Sequence, residues 1–420
     1  MMISDGTVPV AEAKLHTLLD VSRELGATLD LHTLLQRIEQ AALQVLDCAR
    51  VTVFLHDRQR DELFSRLATG AEVIRFPADK GIAGECFQTG DAINIADAYA
   101  DPRFNPAIDR QSGFRTQNLL TLPMRGHDGD VVGVLQLINK RGGAFTEADA
   151  HLAATLSSLT GVALQRQMLL DAYAVKQKME RDMALARRIQ QSLLPKANPQ
   201  IPGFDIAGWN QPADATGGDF YDFLPLPEGR LGLLLADASG HGIGPALLAS
   251  VCRAIVRALA TTTGQLDAIL TGTNALLNQD LQPGHFITLF LGLLDAATGR
   301  LDYVSGGHGP LLYYRPADDT TRILGSTTLA LGILPTVDGT PATPLHMQPR
   351  DVLILITDGF HEWANPQRED FGVDRVFDVI RRNHDRSAAD MIDALYAAVR
   401  AFADPTPQDD DLTAIIVKKL

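Results

Sequence analysis

From Ala11 to about Leu46, apolar residues recur at helical spacing: Leu15, Leu18, Leu19, Val21 and Leu25, a pause at Gly26, then Leu34, Leu35, Ile38, Ala42 and Val45. The pattern predicts two opening helices. Arg50 to His56 carries the run VTVFL between polar flanks, and Val131 to Asn139 reads VVGVLQLIN after an Asp-Gly turn at 128–129. Both predict strands. A mixed α+β domain is therefore expected to close near Leu164.

The stretch Gln165 to Leu194 holds no Gly or Pro and is rich in Gln, Lys, Arg, Met and Ala, which predicts one long helix ending before Pro195. Met168, Ala172, Val175, Met179, Asp182, Ala186, Ile189 and Leu193 alternate in steps of four and three. That is about three and a half heptads with a weak seam of Ala and Met. The seam suits a parallel coiled-coil dimer joining two domains, with a helix packed on a neighbouring domain as the lesser alternative.

Beyond Pro195, Pro199, Pro202 and Gly203, the chain becomes rich in strands, expected at 204–209, 220–225, 231–236, 286–294, 301–305, 311–314, 352–357 and 412–418. Helices are expected near 244–261, 265–280, 374–383 and 387–402. Strands seldom alternate one for one with helices, which argues for stacked antiparallel sheets flanked by helices and against a doubly wound parallel sheet. The expected domains are 1–164, a helical linker 165–194, and 195–420.

Charge narrows the possible functions. The 420 residues carry 37 Lys+Arg against 51 Asp+Glu, a formal net charge of -14. Such a chain repels phosphate backbones and anionic membranes, so nucleic acid and membrane are not expected partners. Cys48, Cys86 and Cys252 lie far apart with no CxxC pair, which fits a reducing compartment. The first twenty residues lack a basic segment followed by an apolar one, and no uncharged run approaches the about 18 residues of a membrane helix. A cytoplasmic location is expected.

Candidate chemistry lies at strand ends. Asp219 and Asp222 follow Gly217-Gly218, Asp237 precedes Ala238-Ser239-Gly240, Asp358 precedes Gly359, and Asp409, Asp410 and Asp411 precede Leu412-Thr413. An apolar strand delivers an aspartate to a rigid edge facing whatever the loops enclose. Four converging carboxylates need compensation, and hard oxygen ligands suit two Mg²⁺ or Mn²⁺ ions. Two such ions about 3.5–4 Å apart activate a water for attack on phosphorus. Phosphoester hydrolysis is the expected reaction.

The runs IQQSLLPKANPQIPGFDIAGWNQPADATGGDFYDFLPL, LLLADASGHGIGPALLAS, LILITDGFHEW and DDDLTAIIV closely resemble the SpoIIE-type branch of the PPM metal-dependent phosphatases, the protein phosphatase 2C superfamily, over about 189–420. The resemblance implies an α-β-β-α sandwich. It also implies a metal pair held by Asp219, Asp237, Asp358 and Asp410 with the carbonyl of Ala238, Asp410 being chosen by the family's Asp-Asp/Asn-x-Thr pattern. It implies removal of phosphate from phosphoserine or phosphothreonine on a partner protein, in this branch often an anti-sigma-factor antagonist. Eukaryotic-type relatives carry a histidine where Ser239 stands, so no general acid is assigned; His241 and His308 are expected to be structural. The phosphate-gripping arginine of those relatives has no counterpart. Gly240, Gly242 and Gly244, with no Lys-Ser/Thr after them, read as a tight strand-to-helix turn and not a nucleotide P-loop.

Residues 15–165 resemble a GAF domain of the cyclic-nucleotide-binding, phosphodiesterase-like kind, on GIAGECFQTGDAINIADAYADPRFNPAIDRQSGFRTQNLLTLPM and GVLQLINKRGGAFTEADA. Such a domain is an antiparallel sheet flanked by helices. The family signature maps onto Asn139, Lys140, Phe145 and Asp149, with Ala150 in place of its final Glu, and implies that Lys140 pairs with Asp149. The pocket positions carried over are Ile82, Ala83, Asp109, Ser112, Thr116 and Gln136, for cAMP, cGMP or another small ligand. Sensor, heptad helix and catalyst in that order imply a ligand-controlled protein phosphatase acting as a homodimer. The competing expectation is a catalytically silent phosphoprotein-binding scaffold with a GAF dimerisation module.

Overall fold

The computed structural model describes residues 19, 20, 23, 30–68 and 74–420. The chain forms two compact units, Met1–Lys178 and Met179–Leu420. The first of the two expected opening helices falls almost wholly outside the described residues. The second is α1, Leu31–Leu46. It starts where the Asp30 carboxylate accepts the N–H groups of His32 and Thr33, and stops where Asp47 turns left-handed at φ 49°.

The N-terminal unit is built on one six-stranded sheet of antiparallel pairs, in the order β3-β2-β1-β6-β5-β4. The strands are β1 Cys48–Asp57, β2 Glu62–Ala68, β3 Arg75–Pro77, β4 Ile93–Ile95, β5 Leu119–Arg125 and β6 Val131–Lys140. On one face, α1 buries Leu34, Leu35, Ile38 and Val45 against Val51, Val53, Leu122 and Leu135. On the other face, α2 (Gly81–Thr89) packs Ala83 and Cys86 against Phe54 and Val134, and the short α3 (Ala107–Ser112) follows.

The long helix is longer than the sequence pattern suggests. As α4 it runs from Glu147 to Leu193, 47 residues, and its first turns bury Ala153, Leu156 and Leu164 in the same core as α1. Gly161 does not interrupt it. A Cβ there would stand 2.2 Å from the Arg125 carbonyl oxygen, so this glycine lets helix and strand backbones approach closely.

The C-terminal unit stacks two five-stranded sheets of antiparallel pairs, β14-β11-β10-β9-β8 and β13-β12-β15-β16-β7. Its strands are β7 Phe204–Gln211, β8 Asp219–Pro225, β9 Arg230–Ala238, β10 Ile287–Asp295, β11 Arg300–Gly306, β12 Leu311–Arg315, β13 Thr320–Leu324, β14 Leu345–His346, β15 Val352–Ile356 and β16 Leu412–Lys419. Period-two alternation sorts their side chains. Leu233, Leu235, Leu353, Leu355, Ile415 and Val417 meet between the sheets. Leu234 and Ala236 face outward under α5 (Ile243–Thr262) and α6 (Leu266–Asp280), whereas Ile354, Ile356 and Ile416 lie under α8 (Val373–Asn383) and α9 (Ala388–Ala403), after a one-turn α7 (Gly359–Glu362). The result is the expected four-layer α-β-β-α sandwich.

Helix α5 is long and apolar enough to cross a membrane by length and composition alone. Here it packs one face on the first sheet: Ala249, Cys252, Val256 and Ala260 are buried while Leu247 and Val251 are exposed, and Arg253 and Arg257 clasp the buried Asp222 carboxylate of β8 at 2.9 and 2.5 Å.

In the N-terminal unit, Lys140 Nζ sits 2.7 Å from Asp149 Oδ1 and also donates to the Leu46 carbonyl, tying the end of β6 to α1 and α4. Burial pushes the Asp149 carboxyl up, but Lys140 and the N–H and hydroxyl of Thr146 outweigh it and hold it below the usual aspartate range. A carboxyl lowered in the folded state stabilises above its unfolded pKa and loses that contribution as pH falls through its folded value. Lys140→Met, which strands the buried carboxylate, is expected to cost about 3 kcal/mol in urea unfolding at pH 7. The cost should shrink when the titration is repeated at acid pH, where Asp149 is protonated.

Candidate functional site

Strand pairing sets the site. Asp219 opens β8 directly opposite Asp237 on β9. Asp358 follows β15 and caps α7, and Asp410 precedes β16, so the second sheet delivers two carboxylates toward the two on the first. The sheets are tied at this point by Asp219 itself, whose Oδ2 accepts the hydroxyls of Thr357 and Thr413, both at 2.7 Å.

The electrostatics are those of negative charge without a counter-ion. Burial, then the carboxylates of Asp237 and Asp411, push Asp219 well above the usual aspartate range, against the two threonine hydroxyls. Asp237 is pushed up to about 7 by burial and by Asp358 and Asp410. Asp410 is raised to about 6 by burial and by Asp358, Asp411 and Asp409, against the Asp411 N–H. The charges acting most strongly on these three groups are all carboxylates. A cluster in this condition binds either protons or metal cations.

Asp410 and Asp411 have different tasks. Asp410 is exposed and electrostatically coupled to Asp237 and Asp358. Asp411 is buried, and its carboxylate accepts the backbone N–H groups of Ala213 at 2.9 Å and Asp219 at 3.3 Å, pinning the 213–219 loop to the start of β16. Asp409 is also exposed. The Ala238 carbonyl faces Gly218: a Cβ on Gly218 would stand 2.4 Å from that oxygen, so glycine keeps the approach to it open.

This all-oxygen donor set, anionic and cleared of side chain beside the Ala238 carbonyl, fits hard divalent cations. Among the described residues, no three His, Cys, Asp or Glu side chains converge on one point at metal-holding distance. A Mg²⁺-like ion keeps several waters and needs only one or two carboxylates, so a pair of ions shared among four aspartates does not require such convergence.

The histidines differ from one another. His241 is exposed and pairs with Asp214 at 3.1 Å. His308 is buried, exchanges a hydrogen bond with Thr288 at 3.0 Å, and is driven down to about 4 by burial, so it is a neutral imidazole. Ser239 accepts the Phe286 N–H and thereby fixes the turn, which leaves β9 through Gly240 and Gly242, both at positive φ, and enters α5.

In the N-terminal unit, a cavity of about 510 Å³ opens between the sheet and α2 and α3. Ile82, Ala83, Asp109, Thr116 and Gln136 line it; Ser112 ends α3, and its side chain lies outside the described ones. Asp109 is occupied internally. Its oxygens accept the Thr116 N–H and hydroxyl and the Tyr99 hydroxyl, which staples the loop after α3. Arg50, Arg75, Lys80 and Arg103 also line the cavity, which the motif did not indicate; Arg75 is paired with Asp57 and Glu62, Arg103 with Asp101 and Glu85, and Lys80 with Asp79.

Thr357, Thr413 and Gly218 complete the arrangement but were given no role from sequence, and Asp411, one of the three adjacent aspartates noted there, holds the loop. The available signal was their place beside the recurring aspartates. In calorimetric titration with Mn²⁺, Asp237→Asn and Asp410→Asn are each expected to weaken binding about 10–100-fold. Asp409→Asn should stay within about twofold of the wild type, and Asp411→Asn, whose amide oxygen can still accept one of the two loop N–H groups, should lose less than Asp411→Ala.

Residues 227–419 match the family model for stage II sporulation protein E (SpoIIE), and residues 30–164 match the GAF domain. Protein IcfG of Synechocystis sp. is 28% identical over 280 residues, which cover 59% of this chain and 43% of that protein. The chain thus spans under half the length of this curated relative. The SiaA-PP2C domain of Pseudomonas aeruginosa, at 22% identity and TM-score 0.53, covers 59% of this chain and is itself covered to 99%. That likeness shows the fold. The RsbU and RsbW domains of Rv1364c from Mycobacterium tuberculosis are 27% identical, with 53% of this chain and 61% of that one covered and a TM-score of 0.45. With both family models matched in order along one polypeptide, the chain is a GAF domain fused to a SpoIIE-type member of the PPM phosphatase family.

Proposed function

We propose that the chain is a signal-regulated, metal-dependent phosphoserine/phosphothreonine protein phosphatase, with a sensor in 1–164, a helical linker in 165–194 and a catalytic domain in 195–420. The observation that carries the reading is the set of carboxylates Asp219, Asp237, Asp358 and Asp410 at the junction of two sheets, close enough that Asp219, Asp237 and Asp410 are pushed up by burial and by neighbouring carboxylates. With the Ala238 carbonyl, these would hold two Mn²⁺ or Mg²⁺ ions. When bound, the pair supplies a water of lowered pKa in line with phosphorus.

The remaining work falls to the chain. Thr357 and Thr413 lock the Asp219 carboxylate in one orientation, and Asp411 fixes the loop that carries Gly218 and Asp219. Rigid support of this kind keeps reacting groups in register without reorganisation at the moment of reaction. The neutral His308 is buried on Thr288, so the reading assigns it no proton transfer. The substrate proposed from the family resemblance is a phosphorylated partner protein, such as an anti-sigma-factor antagonist. Three free, buried cysteines support action in the reducing cytoplasm.

For the sensor, the proposed ligand is cAMP or cGMP. The cavity is large enough for a small ligand and combines polar and basic side chains with the apolar Ile82, Ala83, Phe54 and Leu119. For assembly, the proposed state is a parallel homodimer. Met168, Val175, Met179 and Ile189 of the heptad seam are exposed on α4, as are Leu169, Tyr173 and Leu185 beside it. Val175→Asp with Met179→Asp is expected to convert a dimer into a monomer in sedimentation equilibrium.

The decisive assay is the initial rate on a phosphoserine peptide with Mn²⁺, with and without saturating cAMP or cGMP. Turnover is expected to require the metal, to fall at least about 100-fold in Asp237→Asn and Asp358→Asn, and to change with one nucleotide. A chain that binds the phosphopeptide but never turns it over would instead be a scaffold. Deletion of 1–164 should abolish the nucleotide response; an unchanged response would remove the sensor from the scheme.

A further inference from the structure

Helix α4 reaches the site through one side chain. Gln190, in its last turn, faces the backbone of Gly217: Gln190 Nε2 donates to the Gly217 carbonyl at 2.6 Å, and the Gly217 N–H donates to Gln190 Oε1 at 3.1 Å. A carboxamide closed on the N–H and the carbonyl of one residue in this way mimics a hydrogen-bonded pair of an antiparallel β-ladder and fixes both translation and tilt of the backbone on either side of Gly217.

Gly217 is held on its other side as well. A Cβ there would lie 2.1 Å from Asp411 Oδ2, so the residue is confined between the Gln190 amide and the Asp411 carboxylate with no room for a side chain. Gly217 is buried, and the two residues that follow are Gly218, which borders the Ala238 carbonyl, and Asp219, whose N–H is held by that same Asp411 oxygen. A shift of the Gly217 peptide therefore moves the strand opening that sets Asp219 against Asp237.

We infer that Gln190 is a positioning residue for the acidic cluster, and that the amide pair between Gln190 and Gly217 is the point at which the last turn of α4 sets the geometry of the proposed metal pair. The inference rests on the phosphatase reading and goes beyond it by naming the contact through which the helix acts. The same unbroken helix contributes Leu156 and Leu164 to the core of the N-terminal unit. A rotation or axial shift at its C-terminal end is thus felt first at the Gly217 peptide. No side chain of α4 need touch substrate or metal, because the effect passes through backbone already clamped by Asp411.

The test uses the full chain, with Mn²⁺ affinity by calorimetry, kcat and KM on a phosphoserine peptide, and melting temperature measured side by side. Gln190→Ala removes both hydrogen bonds. Gln190→Glu keeps the shape and the acceptor for the Gly217 N–H, but sets a carboxylate oxygen against the Gly217 carbonyl. Both are expected to weaken Mn²⁺ binding about 10-fold or more and to lower kcat by a similar factor, with KM moved less than about twofold. The melting temperature should stay within about 2 °C, since a half-buried amide on the last turn adds little to the fold. The adjacent, exposed Gln191→Ala should match the wild type in every readout. Mn²⁺ affinity and kcat within twofold of the wild type in both Gln190 variants would overturn the role. Should Gln190→Ala melt early, the shape-conserving Gln190→Glu decides. A wild-type chain that neither binds Mn²⁺ nor turns over the peptide overturns the phosphatase reading and this inference together, whereas an active wild type with indifferent variants overturns the inference alone.

Discussion

Buried negative charge without a partner is the constraint around which the C-terminal unit is organised. Asp219 is almost inaccessible, stands across a strand pair from Asp237, and is neighboured by Asp411. Each of these groups would be cheaper to the fold as a neutral side chain. Two threonine hydroxyls and a set of backbone N–H groups compensate only part of the charge. The fold accepts an electrostatic deficit at the end of the sandwich where Asp219 ties its two sheets together, a pattern expected of a site and not of a scaffold.

That deficit explains the rigidity around it. Strands delivering carboxylates that repel one another would splay unless held independently, and they are held by apolar packing on both faces and by specific ties at the ends. Asp222 between Arg253 and Arg257 locks α5 onto β8 three residues past Asp219. Ser239 locks the turn after Asp237 to Phe286. Asp411 and Gln190 both hold the approach to Asp219, Asp411 through the N–H groups of Ala213 and Asp219 and Gln190 through the N–H and carbonyl of Gly217.

Much of this was legible in the sequence, for a physical reason. Long strands such as VLILI at 352–356 and LTAIIVKK at 412–419 are apolar because they are buried on both faces, so run length and flanking turns mark them clearly. The aspartates stood out by recurring at strand ends. Less visible were elements whose signal is short or geometric. β14 is two residues long, and β13 carries the exposed Thr321, Arg322 and Ile323 on an edge. The start of α4 was masked by Gly161, which punctuates a sequence but here fits a backbone contact. The Thr357 and Thr413 hydroxyls, the Asp411 clamp and the Gln190 amide pair are defined by partners between 27 and 198 positions away, and no local pattern encodes such a pairing.

The span between Thr413 and Asp219, 194 positions, has a consequence for synthesis. Asp219, Asp237 and Asp358 emerge from the ribosome well before β16, yet the hydroxyl and the carboxylate that orient Asp219 arrive only with that strand. β16 also lies between β15 and β7, so the second sheet cannot close without it. Contacts so distant in sequence form late and slowly in folding. A nascent chain would thus display its acidic groups without the geometry to use them, and competence would appear in a single step as the final strand docks.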